Sequence, residues 1–127
     1  MIHGFGGAGI YYYKLIEGLI SKFKVIFIDN IGMGGSSRPD NFKTDSFTPQ
    51  QAIDYYIDYI EQWRIQMKLT DFVITGHSMG GYLAGCYAVK YPDNIRKLHL
   101  YCPIGIRVQP EGEDWKERFD DLSRRGM

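Results

Sequence analysis

The sequence of 127 residues is poor in cysteine, in histidine and in net charge. Its two cysteines, Cys86 and Cys102, do not form a C-x-x-C spacing, so we expect reduced core thiols and neither a disulfide framework nor a metal site. The 15 basic and 15 acidic residues cancel, which argues against a nucleic-acid partner. The composition therefore favours a class of protein that works without nucleic acid or bound metal, and we expect no cofactor.

Long apolar runs are also absent. No stretch approaches the roughly 18 residues of a membrane-spanning helix, and the N-terminus lacks a basic region followed by an apolar one. The pattern therefore predicts a cytoplasmic protein. Hydrophobic residues make up 44% of the chain and charged residues 24%, which is ordinary for one folded domain with a modest core.

Periodic apolar segments alternate between helical and strand patterns. The spacing predicts a helix over residues 10–22 and a buried strand over residues 24–29. Thr48, Pro49 and Gln51 form the start signal of a second helix, since threonine and glutamine three residues apart make a capping box. A short strand over residues 72–75, a helix that Pro92 stops and a strand over residues 95–102 follow. This alternation predicts an α/β fold with a mostly parallel sheet and flanking helices.

The stretch "VITGHSMGG" places a serine between a buried strand and a helix. Gly76, Ser78 and Gly80 match G-x-S-x-G, in which glycines keep Cβ atoms out of a sharp turn that exposes the serine hydroxyl. We interpret Ser78 as a nucleophile and the N–H of Met79 as a donor to an oxyanion. His77 and Gly81 complete the turn, and we expect His77 to shape it and not to act as the base, because neighbouring residues on a sharp turn point apart.

The opening stretch "HGFGGAG" admits two interpretations. In the first, the loop after His3 supplies the second oxyanion donor, with the Phe5 N–H as first candidate and Gly6 as second. The Phe5 side chain then lines an acyl pocket or packs in the core. In the second interpretation, the glycines form the G-x-G-x-x-G of a dinucleotide site with Asp29 on the ribose. The first uses the serine turn as well, and it assigns Asp29 to bracing the loop "GMGGSS".

Together, "HGFGG", "FIDNIGMGGSSRP", "EQWR", "GHSMGG" and "KYPDNIRKLHLYCPIG" resemble the N-terminal half of the α/β-hydrolase family. They are most similar to its branch of lysophospholipases, N-acyl-phospholipid lipases and a lipid-droplet lipase co-activator. The resemblance implies a partial hydrolase fold, truncated before the cap and the C-terminal strands. We expect residues 1–106 to be the N-terminal part of the domain and residues 107–127 to begin the cap.

The resemblance also implies a serine hydrolase acting on a lipid-like ester or amide, a small-molecule or lipid acyl substrate, and association with a membrane or lipid droplet. The family's catalytic histidine and acid come later in its sequences. The three histidines here, His3, His77 and His99, do not fit the branch's H-x-x-x-x-D motif. The acids at positions 111, 113 and 114 lie in a charged segment, and we do not assign the catalytic acid to them.

Three functions therefore stay open. The chain is part of a serine hydrolase that is inactive by itself, a non-catalytic scaffold with a hydrolase core, or a dinucleotide-binding domain. Because "HGFGG" follows Met1 almost directly, we expect that Met1 is not the start of the working protein. We also expect exposed sheet edges at Ile2 and along residues 95–102, and hence poor stability of the chain alone.

Overall fold

The computed structural model describes residues 1–40 and 46–105, so the expected start of the cap at residues 107–127 lies outside the described part. Apart from the strand expected over residues 24–29, the helices and strands follow one another as predicted, with 3-10 turns at Gly9–Tyr12 and Pro92–Asn94. They are helix α1 (Tyr13–Leu19), helix α2 (Pro49–Gln66), strand β1 (Phe72–His77), helix α3 (Met79–Lys90) and strand β2 (Ile95–Tyr101). The helix predicted over residues 10–22 is thus shorter and begins with a 3-10 turn.

The sheet is parallel, which confirms the predicted α/β fold. Strand β1 pairs with β2 along its whole length. On the other side of β1, Ile2 forms parallel bridges to both Gly76 and Ile28. The Ile2 N–H donates to the Thr75 carbonyl at 2.7 Å, and the Ile28 N–H donates to the Met1 carbonyl at 3.1 Å. The order across the sheet is therefore the segment at Ile28, then Ile2, then β1, then β2.

Two expectations about the first half of the sheet are wrong. Residues 24–29 form only a single bridge, at Ile28, and no strand. A strand needs a hydrogen-bonded partner along its length, and among the described residues this segment has a bridge partner only at Ile2. Ile2 does not lie at an exposed edge, because it is flanked on both sides and its exposed fraction is 0%.

The start signal of helix α2 works as the sequence predicts. The Gln51 N–H donates to Thr48 Oγ1 at 3.2 Å, and the Thr48 N–H donates to Gln51 Oε1 at 2.8 Å. Pro49 occupies the first helical position, where its missing N–H costs nothing. The helix then directs Ile57 and Ile60 into the core.

The core lies between helices α2 and α3 and one face of the sheet. Full burial of one large apolar side chain contributes about 1.5–3 kcal/mol, so this cluster dominates the stability of the described part. Its buried members are Ile2, Ile57, Ile60, Ile74, Leu83, Ala84 and Tyr87.

Of the two cysteines, both free, Cys86 is half-buried and Cys102 is exposed. The expectation that Cys102 is a core thiol is wrong, because β2 ends at Tyr101 and Cys102 lies in the turn beyond it with φ of 40°. None of the described helices is both long enough and apolar enough to cross a membrane.

The face of the sheet that does not pack against helices α2 and α3 is less covered. A mainly apolar groove of about 800 Å³ runs between this face and helix α1, with Leu15 and Leu19 on its helical side. On its sheet side, Val73 is 41% exposed and Tyr101 46%. This groove, called the α1 groove below, leaves apolar side chains of β1 and β2 in contact with solvent.

Candidate active site

Ser78 occupies the turn between strand β1 and helix α3. Its backbone has φ of 53° and ψ of −120°, a combination that is costly for a residue with a side chain. Two hydrogen bonds hold this conformation from the neighbouring segment, since the Ser78 N–H donates to the Tyr101 carbonyl at 3.0 Å and the Ile104 N–H donates to the Ser78 carbonyl at 3.2 Å. The strained conformation of Ser78 is therefore stabilised by residues at and just after the end of β2.

The glycines on either side of Ser78 are sterically required. A Cβ on Gly76 would overlap the backbone of Gly80, and a Cβ on Gly80 would overlap the Ile2 carbonyl and lie 2.5 Å from the His3 carbonyl oxygen. At Gly81 a Cβ would lie 2.9 Å from the Cβ of Pro103. Such close backbone approach is available only to glycine.

The loop after His3 lies against the serine turn, as the oxyanion interpretation requires. A Cβ on Gly4 would be 3.0 Å from the Cβ of Ser78. Gly6 has φ of 66°, which favours glycine at this position. The Phe5 side chain is 82% exposed, so in the described part it does not pack in the core. Residues 3–7 and Ser78, far apart in the sequence, are thus neighbours.

Two backbone N–H groups flank Ser78 from different elements. Met79 is the first residue of helix α3, and the N–H groups of a first helical turn have no acceptor within the helix and carry partial positive charge. Phe5 follows Gly4 directly, so its N–H belongs to the peptide unit next to the serine. The residues predicted to donate to the oxyanion, Phe5 and Met79, therefore lie next in sequence to Gly4 and Ser78, which are close in space.

His3 has a structural role. Its exposed fraction is 0%, its Nε2 accepts the Asn30 N–H at 2.9 Å, and its Nδ1 lies 2.7 Å from the Gly4 carbonyl oxygen. The Asn30 side-chain amide also donates to the His3 carbonyl at 2.9 Å. Both ring nitrogens are therefore occupied in holding the loop, and His3 is not available to activate Ser78.

His77 points to the start of helix α1. Its Nδ1 lies 2.9 Å from the Tyr12 hydroxyl, and the two rings meet edge-on with centroids 5.9 Å apart. This contact agrees with the expectation that His77 shapes the turn. His99 lies on β2, exposed to solvent, with its ring 4.9 Å from that of Tyr101.

Asp29 braces two loops through both carboxylate oxygens. Oδ1 accepts the Gly9 N–H at 2.6 Å and Oδ2 accepts the Gly35 N–H at 2.8 Å. These backbone hydrogen bonds, from Gly9 first and Gly35 second, hold the pKa of the carboxyl below its usual value of 3.8. The oxygens that a dinucleotide ribose would need are thus already bonded to the protein, in line with the bracing role expected for Asp29.

Tyr12 and Asn30 were not identified from the sequence as parts of this region. Tyr12 lies outside the quoted motifs, Asn30 lies within "FIDNIGMGGSSRP" with no role assigned to it, and their partners His77 and His3 are remote in the chain. Only the fold brings them together. Among residues 1–40 and 46–105, no group of three or more histidine, cysteine, aspartate and glutamate side chains is arranged to hold a metal ion.

A parallel sheet with a strained serine at the carboxyl end of a central strand, preceded by a glycine loop at its side, is the arrangement of α/β hydrolases. The model of the alpha/beta hydrolase fold matches residues 1–123. The chain therefore belongs to the α/β-hydrolase family, and the resemblance inferred from its motifs is confirmed.

Individual relatives give the same assignment. The chain is 38% identical over 120 residues to a probable 1-acylglycerol-3-phosphate O-acyltransferase of Oryza sativa subsp. japonica, covering 94% of this chain and 28% of that protein. It is 37% identical over 110 residues to the (lyso)-N-acylphosphatidylethanolamine lipase of Homo sapiens, covering 87% of this chain and 31% of that protein. The chain thus spans less than a third of the length of these relatives.

A solved structure supports the fold. A probable hydrolytic enzyme from Pseudomonas aeruginosa superimposes with a TM-score of 0.72 and 26% sequence identity, covering 98% of this chain and 38% of that chain. The described elements thus correspond to a little more than a third of a complete hydrolase of this fold.

Proposed function

We propose that this chain carries the nucleophile and the oxyanion donors of a serine hydrolase that acts on a lipid-like ester or amide. Ser78 is the nucleophile, the N–H groups of Met79 and Phe5 bind the oxyanion, and Gly6 is the alternative donor. The whole protein supplies the catalytic histidine and acid from residues that this chain does not identify. The observation that supports the proposal best is the strained Ser78 backbone lying against Gly4.

The chemistry has two steps. Ser78 Oγ forms a bond to the acyl carbon, its proton passes to the base, and the carbonyl oxygen becomes an oxyanion held by the two N–H groups. Collapse expels the alcohol or amine, which takes the proton from the base. Water then attacks the acyl-enzyme by the same route, releasing the acid and restoring Ser78.

The three histidines of this chain do not provide that base. His3 is fully buried with both ring nitrogens bonded, His77 is bonded to Tyr12, and His99 is exposed on β2. Loss of triad members typically lowers the rate by about 10⁴–10⁶-fold. We therefore expect the 127-residue chain to be inactive by itself.

The substrate class comes from the relatives. One is a probable acyltransferase acting on 1-acylglycerol-3-phosphate and another is a lipase of (lyso)-N-acylphosphatidylethanolamine. Both names describe acyl groups attached to glycerophospholipids, and we extend this class to the present protein. An acyl-enzyme passes its acyl group to water in a hydrolase and to an alcohol in a transferase, so Ser78 is required in either case. Association with a membrane or lipid droplet would suit such a substrate.

The test is active-site labelling of the full-length gene product with a fluorophosphonate probe. We expect labelling of the wild-type protein and none of Ser78→Ala. Ser21→Ala is the matched control, because Ser21 is an exposed serine remote from the site in sequence, and it should label normally. Labelling that persists in Ser78→Ala would exclude the proposed nucleophile.

The histidine contacts also support a second candidate, a non-catalytic binding protein that retains the hydrolase core. Under this proposal the full-length protein would not label at all, and it would still bind an acyl lipid. Equilibrium binding of a fluorescent lysophospholipid to wild-type and Ser78→Ala proteins separates the two. Equal binding together with absent labelling would favour the scaffold.

A further inference from the structure

His77 is bonded to both sides of the loop that lies beside Ser78. Its main-chain N–H donates to the Ile2 carbonyl at 3.0 Å, just before the loop begins. Its ring nitrogen Nδ1 lies 2.9 Å from the Tyr12 hydroxyl, just after the loop ends. One residue of the serine turn therefore holds the entry and the exit of residues 3–11.

The loop has few other restraints near its tip. The side chains of Phe5, Ile10 and Tyr11 are 82%, 69% and 70% exposed, respectively. Gly9 is bonded to Asp29, and the Gly7 N–H donates to the Gly4 carbonyl at 3.1 Å. Since little side-chain packing acts on residues 5–8, their position depends on the hydrogen bonds at the two ends.

The His77 ring also contacts Gly4. A Cβ on Gly4 would lie 3.3 Å from His77 Nδ1 and 3.0 Å from the Ser78 Cβ. Gly4 thus occupies the space between the ring and the serine, and no larger residue fits there without displacing one of them. The peptide unit that joins Gly4 to Phe5 carries the N–H assigned to the oxyanion, so a movement of the ring would displace the residue next to that N–H.

Tyr12 is itself held in place. Its ring stacks on Phe27 with centroids 6.2 Å apart and planes within 8°. The Tyr12 hydroxyl and His77 Nδ1 share a hydrogen bond of 2.9 Å. The stacked tyrosine therefore restrains the orientation of the His77 ring.

We propose that Tyr12 is a positioning residue of the active site, which acts through the His77 ring and Gly4 to fix the Phe5 N–H beside Ser78. The proposal rests on the proposed function of Ser78. It assigns a role to a tyrosine that touches neither substrate nor nucleophile, and it predicts that the hydroxyl matters while the ring alone is insufficient.

The test compares Tyr12→Phe with Tyr11→Phe in the full-length protein. Tyr12→Phe keeps the ring that stacks on Phe27 and removes only the hydroxyl, whereas Tyr11 is a mostly exposed neighbour with the same chemistry. We expect Tyr12→Phe to slow fluorophosphonate labelling about tenfold and Tyr11→Phe to leave it unchanged. The loss should stay below the roughly 10²–10³-fold effect of deleting an oxyanion donor outright.

A second readout separates positioning from a loss of folding. In nitrogen NMR spectra, Tyr12→Phe should shift the His77 ring signals, because Nδ1 loses its hydrogen-bond partner, with an unchanged thermal unfolding midpoint. In the His77→Phe background, Tyr12→Phe should cause no further slowing, because the partner of the hydroxyl is gone. Unchanged labelling and unchanged ring signals in Tyr12→Phe, or additive losses in the double variant, would overturn the proposal.

Failure of the proposal for Tyr12 can be distinguished from failure of the proposed function of Ser78. If Ser78→Ala still labels, the nucleophile assignment fails whatever Tyr12 does. If Ser78→Ala does not label and Tyr12→Phe labels at the wild-type rate, Ser78 stands as the nucleophile and only the role of Tyr12 is refuted.

Discussion

The hydroxyl of Tyr87 in helix α3 donates a hydrogen bond of 2.6 Å to Oε2 of Glu61 in helix α2. Arg64 also donates to both oxygens of this carboxylate, at 2.8 Å each. Tyr87 is 0% exposed and Glu61 8%, so the contact is a charged group buried between two helices. These bonds indicate that the segment "EQWR", residues 61–64, has a structural role and not a catalytic one.

Replacing Glu61 by glutamine should destabilise the fold by about 2–4 kcal/mol, since it leaves Arg64 without a countercharge and weakens the bond to Tyr87. Chemical unfolding of the full-length protein measures this. Asp71→Asn is the control, because it breaks an ion pair with Arg96 in which both side chains are more than 60% exposed. It should change stability far less. Equal effects of the two variants would contradict the buried network.

The same network predicts how stability depends on pH. Hydrogen bonds from Arg64 first, and also from Tyr87, lower the pKa of Glu61 below its usual value of 4.5. The stability that the Glu61 carboxylate contributes is therefore complete above pH 4.5 and is lost as the pH falls through the lowered pKa.

At the alkaline end, burial raises the pKa of Tyr87 from 10.0 to about 12, and the hydrogen bond to Glu61 is the second cause. Its contribution is complete below pH 10 and is lost as the pH rises towards 12. The measurement is the free energy of unfolding as a function of pH across both ranges. In Glu61→Gln, its dependence on pH at the acid end should be lost.

Two glycines should respond in opposite directions to alanine. Gly80→Ala places a methyl group against the carbonyl groups of Ile2 and His3 and should cost about 3 kcal/mol. Gly18 lies within helix α1, and a Cβ there meets no atom within 4 Å. Gly18→Ala should therefore stabilise the protein by about 0.5–1 kcal/mol. Thermal unfolding of both variants provides the measurement, and a stable Gly80→Ala protein would refute the close approach.

Asp29→Ala should release both loops that the carboxylate braces. We expect faster hydrogen exchange at the amides of Gly9 and Gly35, whose N–H groups lose their acceptors. Asp93→Ala, at an exposed aspartate in a 3-10 turn, should leave both amides protected.

Because the Asp29 carboxylate is already bonded to both loops, calorimetry should detect no binding of NAD(P) to the wild-type protein. Binding that depends on Asp29 would restore the dinucleotide interpretation.

The 127-residue chain should self-associate in solution. Among the described residues, β2 pairs only with β1 and leaves Leu98 39% exposed, and the α1 groove exposes Val73 and Tyr101. Unpaired edges and apolar surface of this kind promote association. Light scattering should show aggregates of the wild-type chain, and Leu98→Lys should reduce them. Lys97→Arg, which keeps the charge at a neighbouring position, is the control and should leave them unchanged. A monomeric chain with one cooperative thermal transition would contradict this expectation.

Local chemistry made much of the fold predictable. Thr48, Pro49 and Gln51 define the start of α2 by contacts within one helical turn, and the glycines around Ser78 form a motif of consecutive residues that is recognisable without its distant contacts. The apolar segment over residues 24–29 misled the prediction, because a strand requires a hydrogen-bonded partner along its length and the sequence does not show where such a partner lies.

Contacts between remote residues were not predictable. The pairs Tyr12–His77 and Glu61–Tyr87 join residues that share no motif, and each depends on how helices and sheet pack. The sequence indicated that His77 was not the base but contained no signal for its partner. In the candidate site, the motifs point to Gly4 and Ser78, which the structure places side by side, and give no sign of Tyr12.

The position of Ile2 has a consequence for the order in which the protein forms. Ile2 is bonded to Thr75 and His77 on one side, and the adjoining Met1 is bonded to Ile28 on the other. During synthesis, Ile2 leaves the ribosome long before β1 exists. The pairing of Ile2 with β1 must therefore wait until a segment far along the chain arrives, and pairing at such sequence separation is slow.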